Sequence, residues 1–172
     1  MTSEPSSSQR SSYFPPEAEY AEELTDERRA FLESAGVPSE HHEMLRHWGL
    51  GPLGVKMGLR FEEISAERMV ATMPVEGNQQ VAGILHGGAH VVLAETLGSM
   101  AAALHAWPHG YAVGVDINAT HHRSARSGLV RGTATAVQLG RRLCSHEVVM
   151  TDEDGRRLST ARITNMVIPF ER

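Results

Sequence analysis

One carboxylate, Glu95, lies in a stretch of small and apolar residues that follows the glycine pair Gly87 and Gly88. The stretch from His90 to His105 contains no proline and repeats leucine and methionine at helical spacing, which predicts one long helix. Because its other side is hardly more polar, we expect this helix to be buried all round. A buried carboxylate is unfavourable unless it is hydrogen-bonded, paired or protonated. Glu95 is therefore the first candidate for a chemical role, with Ser99 one turn later on the same face.

His86 and the two glycines stand where the predicted helix begins. The first amides of a helix have no partner within it, and the helix dipole favours negative charge there. Glycine also lets a ligand approach the main chain closely. We therefore expect the amide of Gly87 or Gly88 to hold a developing oxyanion. The alternative is an ordinary glycine-rich turn with a solvated histidine. The lone carboxylate nine positions after His86 argues against that alternative.

Length and composition limit the class of protein. A chain of 172 residues, 41% of them hydrophobic, fits one globular domain with a substantial core. The net charge of -5 and the scattered basic residues give no sign of a nucleic-acid face. A single cysteine, Cys144, cannot form an internal disulfide, which favours a reducing compartment and a packing role. No apolar run approaches the roughly 18 residues of a membrane span, and the serine-rich N-terminus does not resemble a secretory signal. The sequence predicts a soluble cytoplasmic protein that binds neither nucleic acid nor membrane.

The elements that must position these residues divide the chain into three predicted parts. Residues 1–19 are rich in Ser, Pro and Glu, which predicts a disordered tail. Residues 20–50 form a predicted helical extension. Its first helix, DERRAFLESA, is capped by Thr25, and its second, EHHEMLRHW, is capped by Ser39. Residues 51–172 form the predicted main domain.

In the main domain, apolar and polar residues alternate with a period of two, which is typical of half-buried strands. The pattern predicts two strands before the helix and four after it, at residues 55–62, 68–74, 113–119, 129–139, 143–151 and 158–168. Turn residues join most of the later strands as hairpins. The order therefore predicts an α+β fold, with an antiparallel sheet curled around one long central helix.

The segment QQVAGILHGGAHVVLAETLGS resembles the signature of hotdog-fold acyl-CoA thioesterases of the PaaI type. That family includes arylacetyl-CoA, hydroxybenzoyl-CoA and siderophore-pathway proofreading thioesterases. The resemblance extends from Gly51 to Ile168, through GYAVGVDINATHHRSARSG and VRGTATAVQLGRR. It implies a hotdog fold, a homodimer or homotetramer with active sites at the dimer interface, and hydrolysis of a CoA thioester, with an aromatic acyl group favoured. It implies no cofactor, because CoA is part of the substrate.

The resemblance also implies roles for five residues. Glu95 would be the nucleophile or general base on the thioester carbonyl, and Gly87 would supply the oxyanion amide. Gln80 and His86 would contact the thioester, and Ser99 would help place Glu95 or the attacking water. These residue types suit the chemistry, because a thioester needs an attacking oxygen and an oxyanion donor, whereas its thiolate leaves readily. Direct attack by Glu95 and activation of water stay open.

Other polar residues are weaker candidates. Four loop arginines could bind the phosphates of CoA, for which the guanidinium fork is suited, or could simply be solvated: Arg123, Arg126, Arg141 and Arg142. His90, together with Gly88, could line the substrate site, or His90 could simply belong to the first helical turn. Paired histidines occur at two places, His41 with His42 and His86 with His90. His41 and His42 are most simply solvated helix residues, and no third ligand is evident near His86 and His90, so we expect no metal site.

Two other function classes stay open. A hotdog enoyl-CoA hydratase or dehydratase would need an acid–base pair, such as Asp116 with His121 or His122. A non-catalytic acyl-CoA-binding or regulatory module would not need an isolated carboxylate in its helix. The presence of Glu95 together with His86 and Gln80 therefore argues against such a module.

Overall fold

The computed structural model describes residues 24–45 and 50–170. The predicted tail at 1–19 and the end of the predicted second helix at 46–48 lie outside the described residues. The described helices are α1 (Asp26–Ser34), α2 (His42–Leu45), α3 (Gly51–Lys56) and α4 (Gly87–Ala106). The strands are β1 (Arg60–Ile64), β2 (Arg68–Pro74), β3 (Gly110–His121), β4 (Leu129–Leu139), β5 (Leu143–Thr151) and β6 (Arg157–Pro169). None of the described helices combines the length and the apolar character that a membrane crossing requires.

The six strands form one antiparallel sheet in the order β1-β2-β4-β5-β6-β3. Strand β3 pairs with β6 along its whole length and forms one edge of the sheet, while β1 forms the other. The inner face of the sheet packs on α4, whose Leu93, Leu97 and Ala101 are fully buried. Gly98 of α4 lies so close to Ile163 of β6 that a side chain there would collide with it. The predicted α+β architecture, a sheet wrapped around one central helix, is confirmed.

Helix α4 begins at Gly87, three residues before the predicted start, and one of its faces is open. Glu95 is exposed, and Val92, Thr96 and Met100 are only partly buried. The expectation that α4 is buried all round is therefore wrong for the single chain. The sequence pattern could not distinguish the sheet-facing side, because alanine and other small residues occupy most positions around this helix.

The N-terminal extension confirms one predicted helix and changes another. Thr25 caps α1, since its hydroxyl accepts a hydrogen bond from the Arg28 amide at 3.2 Å. The region of the second predicted helix begins with a short 3-10 turn at Ser39–His41. Ser39 is the first residue of that turn and does not cap a helix as predicted. His42 is buried, with Nε2 2.8 Å from the Val37 carbonyl oxygen, so the expectation of a solvated side chain is wrong.

The first predicted strand, at 55–62, is largely wrong. Residues 51–56 form helix α3, with Pro52 in the first turn where proline is well tolerated, and the strand begins only at Arg60. Met57 and Leu59 follow the helix and are buried, whereas the residues next to them in the sequence are exposed. This alternation of apolar and polar residues resembles the pattern of a strand. The extension joins the sheet directly, because the Phe61 amide donates to the Ala35 carbonyl at 2.8 Å.

Candidate active site

The N-terminus of α4 is capped by the side chain of His86. Its Nδ1 accepts a hydrogen bond from the Gly88 amide at 2.8 Å. Because Nδ1 is the acceptor, a neutral His86 carries its hydrogen on Nε2, a donor for which the described residues supply no acceptor. The Gly88 amide is occupied by this cap and Gly88 is not among the residues that line the neighbouring cavity, whereas the Gly87 amide has no partner among the described residues. Of the two candidate amides, that of Gly87 is therefore the one without a hydrogen-bond partner among the described residues.

The loop between β2 and α4 is held in place by Asn78. Its side-chain nitrogen donates to the main-chain carbonyls of Met57 at 3.0 Å and Pro74 at 2.9 Å. The main-chain carbonyl of Asn78 accepts a hydrogen bond from the His86 amide at 2.9 Å. The loop therefore presents Gln80 on a fixed main chain, with its side chain exposed. The sequence offered no sign of this role for Asn78, because it depends on an acceptor at the end of α3.

A cavity of about 270 Å³ lies beside Gly87. It brings together residues from the loop, from the first turn of α4 and from the end of β3 with the loop that follows. They are Gln80, Ile84, Leu85, Gly87, His90, His121, His122, Arg123 and Ser124. Four predicted site residues, Gln80, Gly87, His90 and Arg123, are therefore collected at one place, whereas His86 stands outside the lining.

His121 reaches into the same place from the end of β3. A side-chain carbon at Gly87 would lie 3.0 Å from His121 Nε2, so a side chain at this position would have to displace the imidazole. Gly87 does not have a positive φ, so a side chain there would cause no backbone strain. The Ser159 hydroxyl donates to the Thr120 carbonyl at 3.1 Å and so accepts from His121 Nδ1, also at 3.1 Å. A neutral His121 thus keeps an unprotonated Nε2 beside Gly87. In the sequence, His121 was only a candidate for a different reaction.

His90 lies beneath His121 and is only 3% exposed. The centroids of the two rings are 5.2 Å apart, and Nδ1 of His90 is buried with no hydrogen-bond partner in the described part of the chain. Burial, and secondarily the electrostatic effect of the neighbouring His121, lowers the pKa of His90 from 6.5 to about 4. His90 is therefore neutral at physiological pH.

The lowered pKa predicts a pH-dependent contribution of His90 to stability. An unfolded chain takes up a proton at this histidine near pH 6.5, whereas the folded chain resists it down to about pH 4. The contribution is thus present above pH 6.5 and is lost as the pH falls. Between pH 7 and pH 5, protonation of this histidine in the unfolded chain should lower the free energy of unfolding by about 2 kcal/mol. We expect the His90→Phe chain to lack that part of the decrease. Urea unfolding at the two pH values measures it.

An exposed histidine provides the matched control for this prediction. His109 is exposed, so His109→Phe should leave the pH dependence of unfolding as it is in the unaltered chain. Equal pH dependence in the His90→Phe chain and the unaltered chain would contradict the assignment.

Glu95 lies apart from this cavity. It is eight residues beyond Gly87 in α4, about 12 Å along the helix axis. Its Oε1 is 3.0 Å from Ser99 Oγ, and Ser99 Oγ is 3.0 Å from the Asn165 side-chain oxygen. The expectation of a buried carboxylate is wrong for the single chain, in which Glu95 is exposed. One chain therefore carries the two halves of the predicted site at separate places.

The four candidate arginines also lie at two places. Arg123 lines the cavity, and Arg126 follows in the same loop. Arg141 and Arg142 lie in the turn between β4 and β5. This turn is close to the C-terminal end of α4, since the Gly140 carbonyl oxygen is 3.2 Å from His105 Nε2. Because α4 is about 30 Å long, the two pairs do not form one cluster within a chain.

The acid–base pair of a hydratase is not formed within the described chain. Asp116 and His121 are five residues apart on β3, about 16 Å along the strand. They also face opposite sides of the sheet, since Asp116 pairs with Thr164 and His121 with Ser159. His122 turns instead to Thr160, whose hydroxyl oxygen lies 3.0 Å from its Nε2.

A metal site and the thiol of Cys144 are the two remaining candidates for chemistry, and neither has surroundings that suggest a reaction. Among the described residues, no three His, Cys, Asp or Glu side chains lie close enough together to hold a metal ion. Cys144 is buried, with Sγ 3.9 Å from the Gly140 carbonyl oxygen, and burial raises the pKa of its thiol. This cysteine packs in the core.

Comparison with known proteins was made for both sequence and structure. Residues 82–159 match the family described as the Thioesterase superfamily. The chain is 40% identical over 127 residues to the proofreading thioesterase EntH of Cronobacter turicensis, an alignment covering 73% of this chain and 93% of that protein. It is 41% identical, with the same coverage, to 1,4-dihydroxy-2-naphthoyl-CoA hydrolase of Escherichia coli.

Among solved structures, a mutant form of thioesterase PA1618 from Pseudomonas aeruginosa superposes with a TM-score of 0.67 at 39% identity. The superposition covers 74% of this chain and 94% of that one. The sheet wrapped around α4 is therefore the hotdog fold, and the prediction of a thioester hydrolase is confirmed: the chain belongs to the thioesterase superfamily.

Proposed function

We propose that this protein hydrolyses acyl-CoA thioesters to the free acid and CoA. The observation that carries the proposal is the unpartnered Gly87 amide at the N-terminus of a 20-residue helix, beside a cavity. An amide in that position is suited to a developing oxyanion, since the helix dipole and the free N–H act together. The name of one relative, 1,4-dihydroxy-2-naphthoyl-CoA hydrolase, supports an aromatic acyl group as the substrate class.

In the proposed reaction, the thioester carbonyl oxygen accepts a hydrogen bond from the Gly87 amide. One such donor is typically worth about 3 kcal/mol in the transition state. His86 Nε2 and the Gln80 amide are further donors at the edge of the site. Glu95 either attacks the carbonyl carbon, giving a mixed anhydride that water then opens, or removes a proton from the attacking water. In both routes the CoA thiolate leaves and no cofactor is required.

Within one chain, Glu95 cannot reach a carbonyl that is bound by its own Gly87. The two are about 12 Å apart along the helix axis, and the free amide of the first turn points away from Glu95. The contact with Ser99 also draws the carboxylate toward the C-terminus of the helix. We therefore infer that a complete site takes its carboxylate from one copy of the chain and its oxyanion amide from another.

Two open surfaces support assembly as a homodimer or a homotetramer. The outer edge of β3 is unpaired among the described strands, and α4 leaves the face around Glu95 uncovered. If the α4 helices of two copies run antiparallel, Arg141 and Arg142 of one copy lie on the side of Arg123 of the other. This arrangement would give the CoA phosphates a shared set of arginines. A CoA substrate and an unpaired cysteine support a cytoplasmic location.

Subunit complementation tests the shared site. We expect Glu95→Gln and Gly87→Val to be inactive separately, whereas a hybrid dimer contains one site with neither change. Co-expression with two affinity tags isolates that hybrid, which should recover about half of the unaltered activity per dimer. A hybrid that stays as inactive as its parents would mean that each site lies within one chain.

The activity itself is tested with a panel of aromatic and aliphatic CoA esters. A free-thiol reagent follows the release of CoA, and a parallel assay of enoyl-CoA hydration examines the hydratase alternative. We expect thiol release with no hydration. Hydration without thiol release would overturn the proposal, and CoA-ester binding with neither reaction would indicate a binding module.

A further inference from the structure

Asn165 is a fully buried polar residue between the sheet and the central helix. It lies on the inner face of β6, on the same side as the apolar side chains of Ile163 and Ala161. A buried amide is unfavourable unless its hydrogen-bonding groups are satisfied, so its presence among apolar neighbours requires an explanation. Its contacts on α4 supply one.

The amide of Asn165 contacts Ser99, and Ser99 contacts Glu95. Ser99 Oγ lies 3.0 Å from the Asn165 side-chain oxygen and 3.0 Å from Glu95 Oε1. The Asn165 nitrogen is 3.4 Å from the Gly98 carbonyl oxygen, a long contact. A chain of three polar groups thus runs from the buried inner face of β6 to the exposed carboxylate.

A third element converges on the same point. Gly114 of β3 is the cross-strand partner of Asn165. A side-chain carbon at Gly114 would lie 3.6 Å from Glu95 Oε1, 3.7 Å from the Asn165 oxygen and 3.9 Å from Ser99 Oγ. Helix α4 and two neighbouring strands therefore meet around the carboxylate, and a side-chain carbon at Gly114 would contact all three polar groups.

The number of available hydrogens determines the direction of the hydrogen bonds between Asn165, Ser99 and Glu95. The Ser99 hydroxyl has one hydrogen, and it cannot serve two acceptor oxygens. Rotating the Asn165 amide by 180° exchanges its oxygen and nitrogen, which have nearly the same outline. Asn165 then donates to Ser99, and Ser99 donates to Glu95. This rotation replaces the long contact with Gly98 by an amide oxygen that faces the Gly98 carbonyl oxygen. In return, the Ser99 hydrogen is left for the Glu95 carboxylate, and a hydrogen bond to a carboxylate is the stronger kind.

We propose that Asn165 is a positioning residue for Glu95, acting through Ser99: by donating to Ser99 Oγ it directs the serine hydrogen at the carboxylate. A serine in a helix otherwise tends to donate to the main-chain carbonyl four residues earlier. With Asn165 in place, the exposed carboxylate is tied to a rigid, buried anchor. The inference rests on the proposed role of Glu95 in thioester hydrolysis.

The test is a double-mutant cycle on kcat. We expect Asn165→Leu and Ser99→Ala each to lower kcat about tenfold, with KM changed less than about twofold, because only the carboxylate is affected. If Asn165 acts through Ser99, the double variant should be no slower than Ser99→Ala alone, since the two changes remove the same interaction. Asn165→Ala, which cannot overpack the core, repeats the measurement if Asn165→Leu does not fold.

Thr164→Val is the matched control, one residue away on the outer face of β6, and should leave kcat unchanged. Independent effects that multiply to about a hundredfold in the double variant would overturn the inference, because Asn165 would then act without Ser99. A kcat within about twofold of the unaltered chain in folded Asn165→Leu would overturn it as well. A fully active Glu95→Gln variant would instead refute the role of Glu95 itself, so the two failures are distinguishable.

Discussion

A Glu95→Gln variant is expected to lose at least about a hundredfold in kcat while it stays folded, the range usual for a positioned base or nucleophile. Glutamine keeps the shape of the side chain and its contact with Ser99 but can neither attack a carbonyl nor accept a proton at neutral pH. Because Glu95 is exposed in the single chain, the substitution removes no core packing. The measurement is kcat on the best CoA ester, together with a thermal melt.

Glu147 provides the matched control, since it is an exposed glutamate on β5. Glu147→Gln should turn over at the rate of the unaltered chain. A folded Glu95→Gln variant with near-normal turnover on its best substrate would show that another group starts the reaction.

Gly87→Val is expected to abolish activity, with little loss of the assembled fold. A side-chain carbon at this position lies 3.0 Å from His121 Nε2, so the branched side chain displaces the imidazole and crowds the free amide. Valine keeps the main-chain N–H, but a carbonyl oxygen that can no longer reach this donor predicts a decrease of about a hundredfold or more. The φ of Gly87 is not positive, so the first turn of α4 tolerates a side chain, and Gly87→Ala should be less harmful.

kcat/KM and thermal melting measured together distinguish the possible roles of Gly87. Ala82→Val, in the exposed loop before the helix, serves as the control and should be fully active. Loss of activity only in step with unfolding would make Gly87 a structural turn. A folded Gly87→Val variant with unaltered kcat/KM would locate the oxyanion site elsewhere.

The sequence predicted those elements whose pattern was long and regular. Strands β4 and β5 match their predicted bounds, since alternation and flanking turns both mark them. The strand predicted at 55–62 failed because α3 is only six residues long, too short to show a helical period. The start of α4 at Gly87 was missed because the side chain that caps it is histidine, which is not a usual capping residue.

The candidate site was predicted where its residues are neighbours in sequence. Glu95, Ser99, Gly87 and His86 all belong to α4 or its cap, so their spacing was informative. Asn165 and the contact of His121 with Gly87 could not be predicted, because β3 and β6 approach α4 only in the folded chain. The exposure of Glu95 in the single chain was likewise hidden, because small and apolar residues occur on both faces of α4.

The separation of Gly87 and Glu95 along α4 has a consequence for how the protein would respond to dilution. A catalytic centre shared by two copies exists only while those copies are associated, so specific activity becomes a function of protein concentration. A CoA ester that contacts both copies binds the pair better than either copy alone. By linkage, it stabilises the pair by the same free energy with which pairing improves its binding. Substrate supply and subunit association would then regulate each other without any separate effector site.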